Sequence, residues 1–172
     1  AVFESIAFRP VHEQQRDCYF DETFRQSEDI ECWMRIALET EWLFEGIPGL
    51  LTRYRINGQG LSAATDRQID AWERMVVKLQ SRAPTFFDTH APAARAYQLR
   101  YLCRRAISGL DSRRAWQLAR AWLATSRRPF VEEPVKSVVT LAAAVVLRGF
   151  GPDVLRRIIA LSTSAAASRA VQ

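Results

Sequence analysis

The chain has 172 residues, of which 48% are hydrophobic and 25% charged, with a formal net charge of +5. That size and balance fit one ordinary soluble globular domain, or a small domain with an appendage. Its three widely spaced cysteines, Cys18, Cys32 and Cys103, include no Cys-x-x-Cys, which argues against a disulfide framework and a zinc site and for reduced, mostly buried thiols in a cytoplasmic protein.

The longest apolar run, 138–147, is broken only by Thr140 and is about half the length a bilayer span needs. Residues 1–5 lack the basic and apolar segments of a signal peptide. They also lack an initiator Met, so the chain is expected to begin inside a longer polypeptide. Charge is uneven. Residues 1–66 hold 12 Asp and Glu against 6 Arg, whereas residues 67–172 hold 7 against 18 Lys and Arg. An acidic part joined to a basic part points to two units with different partners, 1–66 and 67–172.

In chain order, the apolar spacing over Val2, Phe3, Ile6 and Phe8 suits either a strand or a short helix. Residues 17–26 read as a loop with Phe20 and Phe24 turned inward. Ser27 is an N-cap for a helix over 28–41, with Glu28, Asp29 and Glu31 favoured in its first turn by the helix dipole. Ile30, Trp33, Met34, Ala37 and Leu38 are spaced as its buried face. A short apolar segment, 42–44, and the breakers Gly46, Pro48 and Gly49 precede a predicted strand over 50–56. The polar, Gly-rich loop 57–64 follows, and it is expected to be mobile.

Beyond Asp66 the pattern predicts helices alone. The segment 67–82 is amphipathic through Ile69, Trp72, Met75, Val76 and Leu79. Segments 93–108 and 111–126 form an αα-hairpin around Gly109-Leu110-Asp111, with Tyr97, Tyr101, Leu102, Ala106 and Ile107 facing Trp116, Leu118, Ala119, Trp122 and Leu123. Pro129 and Pro134 bracket a break before helices over 136–147 and 152–161, and the tail 162–172 is expected to fray. The fold class is thus mostly α with a small α+β part.

Three motifs stand in order: Phe20-Asp21-Glu22; Ser27-Glu28-Asp29-Ile30-Glu31-Cys32-Trp33-Met34-Arg35; and Tyr54-Arg55-Ile56-Asn57 with Leu61-Ser62. Together they resemble the acceptor-side half of family-2 inverting glycosyltransferases with the GT-A fold, whose members read Gly-Phe-Asp-Glu, Glu-Asp-x-x-x-Trp-x-Arg and Tyr-Arg-x-His. The resemblance implies that residues 1–66 are the second half of a GT-A-like α/β domain, and that the helical remainder is the variable C-terminal extension of bacterial members.

The resemblance implies a general base at Asp29, with Glu28 as its partner. An inverting transferase deprotonates an acceptor hydroxyl as it attacks the anomeric carbon of a nucleotide sugar, and a carboxylate suits that role. Trp33, one helical turn on, supplies a wall against a sugar or lipid-linked acceptor, and Arg35 matches the family's helix arginine. Arg53 and Arg55 suit a donor diphosphate, because the guanidinium fork pairs two-handed with phosphate; a solvated strand edge is the plain alternative. Asn57 stands where the family has His. Ser-Glu-Asp before an apolar-periodic helix is also an ordinary capped helix start.

No Asp-x-Asp and no Gly-rich phosphate loop after a strand occurs in the chain, so the donor half and most ligands of the expected divalent metal (Mg or Mn) are expected outside it. Alone, the chain is expected to be catalytically silent. The donor and a glycan or lipid-linked acceptor of cell-envelope polysaccharide synthesis are the implied partners. The paired arginines of the helical part suit either solvated faces or docking on the anionic inner face of the plasma membrane. Segments 138–147 and 154–161 suit either that interface or a core. A helical protein-interaction module without catalysis is the competing reading. Nucleic acid is not an expected partner, because no recognised motif accompanies the charge.

Overall fold

The computed structural model describes residues 1–10, 16–52 and 65–169, with backbone alone at 65 and 162–169. The predicted loop 57–64 and most of the predicted strand 50–56 lie outside the described residues. Those described are mostly helical: α1 (Val2–Ser5), α2 (Glu28–Glu39), α3 (Thr65–Gln80), α4 (Pro84–Ser108), α5 (Ser112–Thr125), α6 (Arg128–Glu132) and α7 (Pro134–Arg169). Among them no strand forms; Phe8 and Cys18 make one isolated antiparallel bridge, with N–H to O distances of 3.0 and 2.8 Å. The chain divides into two compact units, Ala1–Asp88 and Thr89–Gln172. The first therefore extends past the expected boundary at 66 and includes α3.

In the first unit, Ile6, Cys32 and Ile36 form a small core with Val2 packed against it. The inward face of α2 differs from the expected one. Glu31, Cys32, Arg35 and Ile36 are buried, whereas Ile30 and Trp33 are exposed and Met34 and Leu38 are half-buried. The reason is Arg35, at 1% exposure. Its Nε donates to Glu31 Oε1 at 2.8 Å and its Nη1 to the Ile6 carbonyl at 2.7 Å, and Nη2 reaches the Tyr19 carbonyl. A periodicity count treats Glu and Arg as surface residues, but here they satisfy one another and the backbone.

Ser27 occupies the N-cap position without acting as a side-chain cap: it sits in the left-handed region at φ 64°, and only its carbonyl is used, by Glu31 N–H at 2.9 Å. Phe24 is buried as expected, whereas Phe20 is exposed. In α3, Ile69, Met75 and Leu79 are buried on the expected face. Residues 42–52 adopt no regular structure.

In the second unit, α4 and α5 form the expected hairpin. Leu102, Cys103, Ala106 and Ile107 are buried, as are Ala115, Leu118, Ala119 and Trp122, while Tyr101 and Leu123 turn outward. Asp111 caps α5, accepting from Arg114 N–H at 2.9 Å. The residue that takes the left-handed conformation ending α4 is Leu110 (φ 57°), not Gly109. Asp111 N–H reaches the Ala106 carbonyl and Leu110 N–H the Ile107 carbonyl, the paired pattern that closes a helix C-terminus. α4 starts earlier than expected, with Pro84 as its first residue, and continues through Pro92. Proline suits the first position, where the missing N–H had no partner.

α7 packs on α5 and α6. It holds the two expected helices, separated at Gly151, whose φ of 81° and ψ of 177° are not helical. Helix continues to Arg169, in keeping with the helix preference of the alanines there; residues 170–172 lie outside the described residues. Trp122, fully buried, stacks on Phe130 at 4.9 Å between centroids. Arg100 ties α4 to α7 by donating to Ser137 Oγ at 2.8 Å and pairing with Glu133.

Removing one member of a buried, hydrogen-bonded ion pair costs about 3–5 kcal/mol; loss of Arg35 would leave Glu31 with Lys78 as its remaining cation and take the donor from the Ile6 and Tyr19 carbonyls. Arg35→Met is expected to destabilise the chain by that amount in denaturant titration. A loss below about 1 kcal/mol, the scale of exposed pairs, would show that Arg35 does not organise the first unit.

Candidate functional site

Burial of Glu31 and Arg35 fixes how α2 is turned. Asp29 and Trp33, four residues apart and so neighbours along the helix, both face solvent, and Trp33 is 52% exposed. The Asp29 Oδ1 accepts the Ile30 N–H at 2.8 Å, leaving Oδ2 for another donor. Glu28 is half-buried beside it. The structure thus brings Asp29 and Trp33 together on one face of α2, while Glu28, seven residues before Arg35, starts the stripe that carries Glu31, Cys32 and Arg35 inward. It places Arg35 on the opposite face, with its guanidinium donors engaged by Glu31, Ile6 and Tyr19. Arg53, Arg55 and Asn57 lie outside the described residues.

Behind this face lies a charged layer. Lys78 of α3 donates to Glu31 Oε1 and to Asp21 Oδ2, each at 2.7 Å. Its ammonium also lies 5.3 Å from the Phe8 ring centre and 5.7 Å from that of Phe24, at cation–π distance. Burial works to raise the Asp21 carboxyl, but hydrogen bonds from Lys78 and Thr23 outweigh it and hold that group below the ordinary range. Glu31 Oε2, fully buried, meets no donor among the described residues. Burial also pushes up the thiols of Cys32 and, to about 11, Cys103. Both are therefore protonated near neutrality and unsuited to nucleophilic work.

A concavity of about 360 Å³, without a motif to announce it, is lined by Arg25, Arg67 and Arg74 together with Thr23, Asp70 and Ala71. Arg74 is steadied by the Phe24 ring, 4.8 Å from its guanidinium carbon. No described residue pairs with Arg25 or Arg67. Three arginines against one carboxylate leave this concavity net positive, a charge that suits an anion such as phosphate. The only sequence signal was the spacing of Arg67 and Arg74, seven residues and so two turns apart on α3. Asp29 does not line this concavity.

Among the described residues no group of three His, Cys, Asp or Glu side chains is arranged to hold a metal ion. The resemblance itself puts most ligands of its divalent metal in sequence outside these 172 residues. Comparison of the chain with models of protein families, with curated proteins and with solved structures gives no match.

Two outcomes follow from this geometry. A depressed folded-state pKa makes Asp21 stabilising above the ordinary aspartate value of about 3.9, and that contribution disappears as pH falls through the folded value. Asp21→Asn is expected to lower stability at neutral pH and to flatten its decline on the acid side; a parallel acid decline in the variant would remove Asp21 from the account. Inorganic pyrophosphate is expected to bind the chain in calorimetry, with affinity falling about tenfold or more for Arg25→Ala/Arg67→Ala. Unchanged heats would show the arginine concavity to be ordinary solvated surface.

Proposed function

We propose that this chain is the acceptor-side part of an inverting glycosyltransferase, with Asp29 as general base. In this reading residues 1–66 belong to a GT-A α/β domain whose donor half lies in sequence outside these 172 residues, and the helical part is an extension of it. The observation that carries the proposal is the turn of α2. The buried Glu31–Arg35 pair leaves Asp29 and Trp33 side by side in solvent, and these are two of the residues that the family resemblance singles out.

The chemistry asked of Asp29 is one proton transfer. Its free carboxylate oxygen takes the proton of the acceptor hydroxyl while the hydroxyl oxygen bonds to the anomeric carbon of the donor. The bond to the nucleoside diphosphate breaks on the opposite face, so the configuration inverts. A positioned base of this kind contributes about 10²–10⁴-fold. Trp33 offers its ring face as a platform for a sugar or a lipid-linked acceptor. Arg53 and Arg55 suit the donor phosphates by their guanidinium chemistry, Asn57 stands where the family has His, and the Arg25, Arg67 and Arg74 concavity suits a phosphate by its charge.

The segment 42–51 also supports a missing half. Trp42, Leu43, Phe44, Ile47, Leu50 and Leu51 are all at least half exposed, and large apolar side chains left in water in such number suit a surface for a partner. The donor half is the partner this reading supplies, and the complete enzyme then works on the cytoplasmic side of the membrane.

The test is sugar transfer from a labelled nucleotide sugar by residues 1–172 joined to a donor half. Asp29→Asn is expected to lower the rate by about 10²-fold or more with helicity unchanged, and the chain alone is expected to transfer nothing. Full transfer by a folded Asp29→Asn variant would sink the assignment.

A further inference from the structure

In the second unit, α7 has two unlike faces before Gly151. Ser137, Thr140, Ala144 and Leu147 are buried, on the side turned to α5 and α6. Val135, Val138, Val139, Ala142, Val145 and Phe150 are exposed. Val135, Val138, Val139, Ala142 and Val145 recur at the spacing of one helical stripe, with Phe150 at its border beyond Val139, and no charged residue lies within it. A continuous apolar stripe left in water on an otherwise packed helix calls for something to cover it.

The borders of the stripe say what that is. Lys136, three residues before Val139, lies along one edge, and Arg148, three residues after Val145, along the other; both are exposed. Past the bend at Gly151, Arg156 and Arg157 are exposed as well. The whole unit carries 14 Lys and Arg against 4 Asp and Glu. A second copy of the chain would bring the same cations against these edges. An anionic lipid surface instead offers apolar chains to the stripe and negative headgroups to its borders.

By length and composition, Pro134–Leu161 passes for a bilayer span, with a mean hydropathy of 1.6. Three features argue for lying on the bilayer instead. One face of the helix is buried, Arg148 stands near the middle of the stretch, where a charge is costly in hydrocarbon, and Gly151 breaks the helix.

We propose that the outward face of α7 is a docking surface for an anionic bilayer. The helix lies in the interface with the valine stripe in the acyl region and Lys136 and Arg148 at the headgroups. This role does not depend on the chemistry assigned to Asp29.

Co-sedimentation of the full 172-residue chain tests it, with vesicles of one part phosphatidylglycerol to two parts phosphatidylcholine and with phosphatidylcholine alone. Binding to the anionic vesicles is expected to be about tenfold tighter or more than to the neutral ones, and to weaken with salt. Val138→Asp/Val145→Asp is expected to lower it about tenfold or more with helicity unchanged. Should that variant unfold, Arg148→Glu, at an exposed position, decides by the same drop. Equal binding to both vesicle types, variants that bind like the parent, or resistance to alkaline carbonate extraction (a spanning helix) would each overturn the proposal. So would failure to bind vesicles in a chain that light scattering shows to be a dimer separated by Val145→Asp, which would assign the stripe to a second copy.

Discussion

A cation withdrawn from water governs the first unit. Arg35 gives up hydration that only a full set of protein acceptors can replace, and it finds them in a carboxylate, two main-chain carbonyls and the face of Phe8, 4.9 Å from its guanidinium carbon. Two of those acceptors belong to Ile6 and Tyr19, far from α2 in sequence. The guanidinium thereby joins α2 to the N-terminal segment with defined geometry. A pair of this kind adds less net stability than apolar residues of equal volume, yet tolerates no loss of a partner. Its effect is to choose one arrangement: with Arg35 inside, α2 cannot rotate, and the side chains opposite must stand in solvent.

Much of the helical plan was legible in the sequence because periodicity and capping act locally. Asp111 as N-cap, the burial of Leu102, Ala106 and Trp122, and the inward side of α3 follow from spacing alone. The buried face of α2 was not legible, because the pattern there is inverted: charged residues go in and a tryptophan stays out. Only partners distant in the chain, the carbonyls of Ile6 and Tyr19 and the ammonium of Lys78, make that favourable. The left-handed Leu110 was hidden for a related reason. The adjacent Gly109 is the cheaper occupant of that conformation, and the choice between neighbours depends on how the next helix leaves.

The candidate site was partly legible. The proximity of Asp29 and Trp33 follows from helix geometry once α2 is granted, whereas Glu28 falls on the side of Glu31 and Arg35. The meeting of Arg25 with Arg67 and Arg74 does not, since it joins residues about forty apart through a fold that no local rule encodes. The two units also treat their cations differently. In the first, Arg35 and Lys78 are drawn inward onto carboxylates and aromatic rings. In the second, apart from Arg100, most lie outward on helix surfaces, where water and mobile counter-ions screen them.

The bare apolar stretch between Thr40 and Thr52 has a practical side. Trp42, Leu43 and Phe44 run consecutively, and high hydrophobicity within so few residues is the composition of a sticky segment when it is left open to other molecules. Gly46, Pro48 and Gly49 interrupt it, and proline in particular cannot join a stacked ladder of amides. Acidic Glu41 and Glu45 flank its aromatic core, so that copies brought together repel at that point. The chain thus carries its own restraint on self-association at the place where its surface is least suited to water.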